Sequence, residues 1–184
     1  MQSLKLIAGL SIILIMSRLV PHAPNFTATL ASLIFSALIF RKYIFWLFLL
    51  FAYWVSDLAL NNSLFLKTEF TWFTSGIEYL VIIYTLIYVL LVKFGKQMSA
   101  PIPVFVTSIS CSVLFFIFSN LSVWMNSSLY SKDITGIMEC YVAAIPFFGN
   151  EVAGTLFYCS IFFAAYWLMQ PSLQTNEIKS GARS

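Results

Sequence analysis

The chain has 184 residues, of which 60% are hydrophobic, 18% aromatic and only 9% charged. Soluble domains carry about 25% charged residues, so this composition excludes an ordinary water-facing surface and favours a lipid-facing one. The formal net charge of +3 is small and dispersed, which argues against a nucleic-acid partner.

Six apolar runs predict six membrane helices joined by short loops, because each crossing needs about 20 residues. The runs cover residues 4–19, 27–40, 43–60, 70–92, 101–124 and 150–169. The sequence therefore predicts an all-α integral membrane protein. It would have one transmembrane domain over residues 1–170 and a polar tail over residues 171–184.

The segment 136–148 is also apolar, but it is too short to cross a membrane. Its apolar residues recur at helical spacing, and Pro146 and Gly149 interrupt the sequence near its end. We therefore expect a short amphipathic helix within the last outer loop. A seventh, re-entrant span is the alternative.

The distribution of Lys and Arg orients the predicted helices. With the N-terminus inside, seven of the ten Lys and Arg residues fall on the cytoplasmic side and three on the outer side. Both termini, including the polar tail, are then expected in the cytoplasm. The outer loops would be 18–26, 61–69 and 126–149.

These outer loops and the adjoining helix ends contain most of the unusual polar and aromatic side chains. A small-molecule site needs a mainly apolar cavity with a few convergent polar groups, and the outer mouth of the bundle fits that description. The candidate substrate-binding residues are Arg18, His22, Asn25, Asp57, Asn61, Asn120, Trp124, Cys140 and Tyr141.

Arg18 and Asp57 lie at the outer ends of the first and third predicted helices, where ionisable residues are costly unless paired or functional. We expect Arg18 to meet an anionic ligand group or to pair with Asp57; simple snorkelling of Arg18 to the interface is the alternative. The prolines that flank His22 stiffen its loop, although a lone loop histidine is also an ordinary surface residue. Trp124 and Tyr141 would stack on a ligand ring.

Cys140 is the only outer cysteine and is a candidate ligand for a soft or borderline metal centre; a small apolar residue on an interfacial helix is the alternative. The sequence has no Gly-rich phosphate loop, HExxH motif, nucleophile elbow or spaced carboxylate pair. We therefore expect no enzymatic activity and no cofactor. A membrane enzyme using Cys140, His22 and Asp57 is the least favoured alternative.

Four segments carry a family resemblance: RLVPHAPNFT at 18–27, SDL at 56–58, SNLSVW at 119–124 and CYVAAIPFF at 140–148. They resemble an uncharacterised bacterial family of transport-type proteins, and the resemblance implies that the chain lies in a bacterial inner membrane. That family is similar to the S components, the substrate-binding membrane subunits of energy-coupling factor vitamin transporters, including solitary cobalamin transporters.

The resemblance implies a six-helix membrane protein whose outer loops close over a vitamin-like ligand, with cobalamin as one candidate. It also implies an energising ATPase module as a partner. S components that share such a module have an Ala-x-x-x-Ala pattern on the first helix. Here Ala8 is followed four residues later by Ile12, which favours a solitary or differently partnered protein.

A second class of function is a non-catalytic structural or accessory subunit of a larger membrane complex. The small residues Ala28, Ser32, Ser36 and Ala37 permit close helix packing, either within the bundle or against a partner. In that case the aromatic outer surface would contact other subunits or membrane lipid.

Overall fold

The computed structural model describes the backbone of residues 2–63, 70–95 and 100–181, and side chains within 3–62, 70–95 and 100–169. These residues form six α-helices and no strand. The helices are α1 (Gln2–Leu19), α2 (Thr29–Ile39), α3 (Ile44–Ser63), α4 (Ile77–Phe94), α5 (Pro101–Asn126) and α6 (Ile134–Gly181).

The centre of the bundle is α2. All 11 of its residues are buried, and every other helix contacts it. At a rise of about 1.5 Å per residue it is some 16 Å long, about half the thickness of a bilayer core. Its small residues allow this packing: Ser32 and Ser36 are fully buried, and the Ser36 hydroxyl lies 3.1 Å from the hydroxyl of Tyr88 on α4. The small-residue face of α2 is therefore used within the bundle.

Four of the described helices are long and apolar enough to cross a membrane. They cover Ile44–Asn62, Ile77–Phe94, Pro101–Asn126 and Ile134–Met169. Between about one fifth and one third of each such segment is buried inside the protein, so most of their side chains face outward. This pattern is that of a multi-pass helical membrane protein, because lipid rather than water solvates the outward apolar side chains.

The sequence-based prediction of a break near Pro146 and Gly149 is wrong. Helix α6 runs without interruption through both residues, so there is no separate short helix in a loop before the last span. Proline has a helical φ and removes only one backbone hydrogen bond, a loss that apolar helices tolerate when neighbouring helices pack against them. Gly149 adds no constraint, since a Cβ there would meet no atom within 4 Å.

The start of the fourth predicted span is also corrected. Helix α4 begins at Ile77, and Gly76 precedes it in the left-handed conformation with a φ of 82°. Asn62 on α3 fixes the non-helical chain before it, because its amide donates to the carbonyl of Thr71 (2.9 Å) and its oxygen accepts from the Thr71 N–H (2.8 Å). These side-chain bonds replace the backbone bonds that a helix would supply.

Arg41 and Arg18 mark opposite ends of the bundle. Arg41 donates to the carbonyls of Val92 (2.7 Å) and Gly95 at the end of α4. The last carbonyls of a helix have no partner within the helix, so the guanidinium satisfies them. Lys42 is at the same end, where its carbonyl accepts the hydroxyl of Tyr88. The cationic end is thus separate from the end that contains Arg18; Lys67 and Lys96, used in the charge count, lie outside the described residues.

Candidate ligand-binding chamber

The loop between α1 and α2 is shaped by its own sequence. Ser17 accepts the backbone N–H of Ala28 at 2.9 Å, which joins the two helices across the loop. Asn25 adopts a positive φ of 66°, a conformation that asparagine tolerates better than most residues. The loop then packs on α6, where a Cβ on Gly154 would lie only 3.0 Å from Cα of Phe26. Glycine at this position permits the close approach.

Arg18 and Asp57 form the predicted pair. Nη2 of Arg18 lies 3.3 Å from Oδ1 of Asp57, and both side chains are largely buried, with 14% and 8% exposed. The guanidinium also lies 4.0 Å from the ring centre of Tyr53, which adds a cation–π contact. The pair joins the ends of α1 and α3, residues 39 positions apart in the chain.

Asp57 receives further hydrogen bonds on its other oxygen. Thr74 Oγ1 donates to Oδ2 at 2.7 Å and Asn61 Nδ2 donates to it at 3.2 Å. Asn61 also donates to Thr74 Oγ1 at 2.6 Å, which closes a polar triangle. The carboxylate is therefore satisfied on both oxygens by protein groups, as a buried charge requires.

Next to this pair is a cavity with two adjoining lobes, which we call the chamber. The arginine lobe has a volume of about 280 Å³ and is lined by Arg18, His22, Asn25, Thr27, Leu30, Tyr53, Leu60, Leu80, Tyr84, Phe115 and Glu151. The amide lobe has a volume of about 220 Å³ and is lined by Asn25, Leu80, Phe115, Phe116, Ser119, Asn120, Val123, Ala144, Phe147, Phe148 and Glu151. Four residues line both lobes, so the lobes adjoin.

The chamber is recessed from the end of the bundle. Phe115 on its wall lies 11 residues before the end of α5, which at about 1.5 Å per residue places it some 16 Å below Asn126. The short α2 explains this depth, because the chain turns back at residues 20–28 before reaching the level at which α5 ends. A ligand there would be surrounded by helices on several sides.

Glu151 is the functional candidate that sequence reasoning missed. It is buried, with 6% exposed, and lines both lobes. One carboxylate oxygen accepts a hydrogen bond from Thr155 at 2.7 Å, and the other, Oε2, has no partner among the described residues. The available signal was a lone carboxylate within a long apolar run, which marks functional positions in membrane helices. The wrongly predicted break near Gly149 placed Glu151 at the end of a helix, where a carboxylate is ordinary, instead of inside an apolar helix.

Three predicted site residues line the chamber beside Arg18. His22 and Asn25 are exposed residues of the α1–α2 loop at the rim of the arginine lobe. Nδ1 of His22 lies 2.7 Å from the carbonyl oxygen of Ala23, so this nitrogen donates to it. Asn120 lines the amide lobe, and its Nδ2 donates to the carbonyl of Phe116 at 2.7 Å. Asp57 and Asn61 lie behind Arg18 and act on the chamber through it.

The other three predicted site residues are used for packing around α5 and α6. The Tyr141 hydroxyl donates to the carbonyl of Ile117 at 2.6 Å, and the buried Cys140 thiol donates to the carbonyl of Asn120 at 3.5 Å. Trp124 donates its indole N–H to the carbonyl of Ser131 at 2.8 Å. None of these three aromatic or thiol side chains lines either lobe.

The described part of the chain contains no group of three or more His, Cys, Asp or Glu side chains that could surround a metal ion. Cys140, His22 and Asp57, the residues considered for a thiol-dependent enzyme, have separate partners and do not converge.

The fold and chamber define a multi-pass helical membrane protein with an internal cavity. The chain belongs to a family of unknown function, DUF6580, whose model matches residues 1–177. Comparison with curated proteins and with solved structures found no match.

Proposed function

We propose that this protein is a non-enzymatic, substrate-binding integral membrane protein for uptake of a vitamin-like small molecule. It would resemble the S components of energy-coupling factor transporters, with six membrane helices and both termini in the cytoplasm of a bacterial cell. The observation that supports this proposal is the recessed chamber, which combines aromatic walls with a few polar groups.

The lining of the chamber suits a small ring-bearing molecule. The rings of Tyr84 and Phe115 stack on each other with centres 5.1 Å apart and form an aromatic wall of the arginine lobe. Arg18, Asn25 and Glu151 supply polar groups to the same lobe. Ligand sites typically have this mixture of apolar walls and few polar contacts, with volumes of roughly 300–1,000 Å³. Either lobe lies just below that range, so a vitamin-sized molecule would occupy both.

Cobalamin, one candidate from the resemblance, is supported less well than a smaller vitamin. A corrinoid is much larger than either lobe, and the Cys140 thiol that would bind its cobalt lies outside the chamber. We therefore favour a smaller ligand. The chain itself has no nucleotide-binding motif, so concentrative uptake would need an energising partner or chemical trapping of the substrate inside the cell.

The alternative is an accessory subunit of a membrane complex. It is favoured by an apolar groove between α3 and α4, with a volume of about 360 Å³ and walls of Leu47, Leu50, Phe51, Tyr53, Trp54, Phe73, Ile77 and Val81. Such a groove suits either a lipid chain or a helix of another subunit. The proposed small-residue contact surface on α2 does not contribute, because α2 is buried.

Native mass spectrometry of the protein extracted from its own membrane in mild detergent tests the proposal. A retained small-molecule mass that is lost from a Phe115→Ala variant would support ligand binding in the chamber. A ligand-free chain that co-purifies stoichiometrically with other polypeptides would favour the accessory-subunit alternative.

A further inference from the structure

The charges around the chamber are unequal. Among the described residues, Arg18 is the only Lys or Arg that lines either lobe, and its positive charge is matched by Asp57 at 3.3 Å. Glu151 lines both lobes, and no salt bridge to it is found among the described residues. The chamber therefore contains one carboxylate whose charge is not balanced by a protein cation.

Glu151 is also incompletely hydrogen-bonded. Its Oε1 accepts from Thr155, while the buried Oε2 has no partner among the described side chains and backbone groups. The hydroxyl of Ser112, across on α5, is near this carboxyl group, but the two groups make no hydrogen bond of good geometry. Burying a carboxylate oxygen without a well-formed hydrogen bond is costly, so a ligand group that donates to Oε2 can satisfy it.

The aromatic wall is positioned to complement the same ligand. Glu151 and the stacked rings of Tyr84 and Phe115 all line the arginine lobe. These rings supply apolar surface on which a ligand ring can pack. The preference for positive charge on the ligand comes from the carboxylate.

From this geometry we propose that the chamber recognises an organic cation: a ring-bearing molecule whose protonated amine or related nitrogen group donates to Oε2 of Glu151. This inference rests on the proposed binding function and deepens it by naming the chemical class of the ligand. Asp57 neutralises the charge of Arg18, so the arginine does not repel the incoming cation. The buried Nε of Arg18 also lacks a partner among the described residues and can donate to an acceptor on the same ligand.

The test uses the full-length protein in lipid nanodiscs and two series of probes, one with a phenyl ring and one with an indole ring. Each series contains a cation (phenethylamine or tryptamine), an anion of matched length (3-phenylpropionate or indole-3-propionate) and the neutral primary amide of that anion. Binding is measured by isothermal titration calorimetry. We expect each cation to bind at least about tenfold more tightly than its anion, since a hydrogen bond to a charged group contributes about 1.5–3 kcal/mol.

Variants at Glu151 assign the preference to this carboxylate. Glu151→Gln should remove the preference for cations, while Glu151→Asp should retain it with weaker binding. Glu139→Gln, an exposed position on the same helix that lines neither lobe, is the matched control and should behave like the wild type. Thermal unfolding of each variant establishes that it is folded.

The outcomes separate this inference from the proposed function. Tighter binding of anions, or a cation preference that survives in folded Glu151→Gln, would overturn the inference. If anionic or neutral probes bind and Phe115→Ala abolishes their binding, the binding function stands while the cation class is wrong. Failure of every probe at millimolar concentration would count against both.

Discussion

Gly154 and Phe26 bring helix α6 and the α1–α2 loop into backbone contact. A Cβ built on Gly154 would lie 3.0 Å from Cα of Phe26 and 3.1 Å from the backbone nitrogen of Thr27. Glu151 is three residues earlier on the same helix, and Asn25 is the residue before Phe26 in the loop; both line the chamber. The glycine therefore permits the close approach of two segments that form its walls.

Gly154→Ala should destabilise the protein by about 1–3 kcal/mol, the usual cost of overpacking. The backbone atoms it meets belong to a constrained loop and cannot rotate away. Gly149→Ala is the matched control on the same helix, where a new Cβ would meet nothing within 4 Å. Because alanine is the better helix former by about 1 kcal/mol, that variant should be unchanged or more stable. Thermal unfolding in detergent distinguishes them, and equal midpoints would contradict the contact.

Removing one charge of the Arg18–Asp57 pair should lower the free energy of unfolding more than removing both charges. Arg18→Met leaves a buried carboxylate and Asp57→Asn leaves a buried guanidinium, and each should lose about 3–5 kcal/mol. The double variant should recover part of that loss. A double-mutant cycle of unfolding free energies measures the coupling. Strictly additive losses would mean that the two charges do not stabilise each other.

Filling the chamber should block binding with little loss of stability. Leu80 lines both lobes on α4, and Leu80→Trp would occupy space that a ligand needs. Leu86→Trp on the same helix is the control, since Leu86 is 41% exposed on the outer surface of the bundle. We expect the ligand affinity, or the amount of ligand retained, to fall at least about tenfold for Leu80→Trp and to be unchanged for Leu86→Trp. Similar effects from both variants would place the ligand elsewhere.

Trp124 should stabilise the turn between α5 and α6 rather than bind ligand. Its indole N–H donates to the carbonyl of Ser131, and the ammonium of Lys132 lies 5.5 Å from its ring centre. Trp124→Phe removes the hydrogen bond, worth about 1 kcal/mol, so amide exchange over residues 127–133 should accelerate about fivefold. Met125→Leu, an exposed neighbour, is the control. A reduced ligand affinity of the Trp124→Phe variant would show that Trp124 contributes to ligand binding.

Asp133 should titrate below the ordinary range of an aspartate. The backbone N–H of Gly136 donates to its carboxylate at 2.8 Å, and the Ser131 hydroxyl donates at 2.7 Å, so its pKa is lowered from 3.8. Because the folded-state pKa is the lower one, the added stability of the first turn of α6 is present above about pH 4. It is lost as pH falls through the lowered pKa. A pH titration followed by carbon-13 NMR of the labelled Asp133 carboxyl group should give a midpoint below that measured in the peptide 131–137. An equal midpoint would contradict these hydrogen bonds.

The sequence alone determined the class of protein and one part of the chamber. Few charges and long apolar runs leave no way to cover a water-facing surface, so a helical membrane protein followed from composition. The pairing of Arg18 with Asp57 was also predictable, because two isolated opposite charges at helix ends must satisfy each other. The six-span count and the cytoplasmic termini stay predictions, since four helices in the described part of the chain meet the length and hydropathy required for a span.

Only the tertiary structure decided which polar groups converge. A proline in an apolar segment suggests a break, but packing against α5 supports α6 through Pro146. Continuity of α6 then places Glu151 in the same lobe as Arg18 and turns Cys140 and Tyr141 toward α5 instead of the chamber. The direction of a side chain around an apolar helix depends on which neighbours it packs against, and with lipid-like residues on every face the sequence provides no such direction.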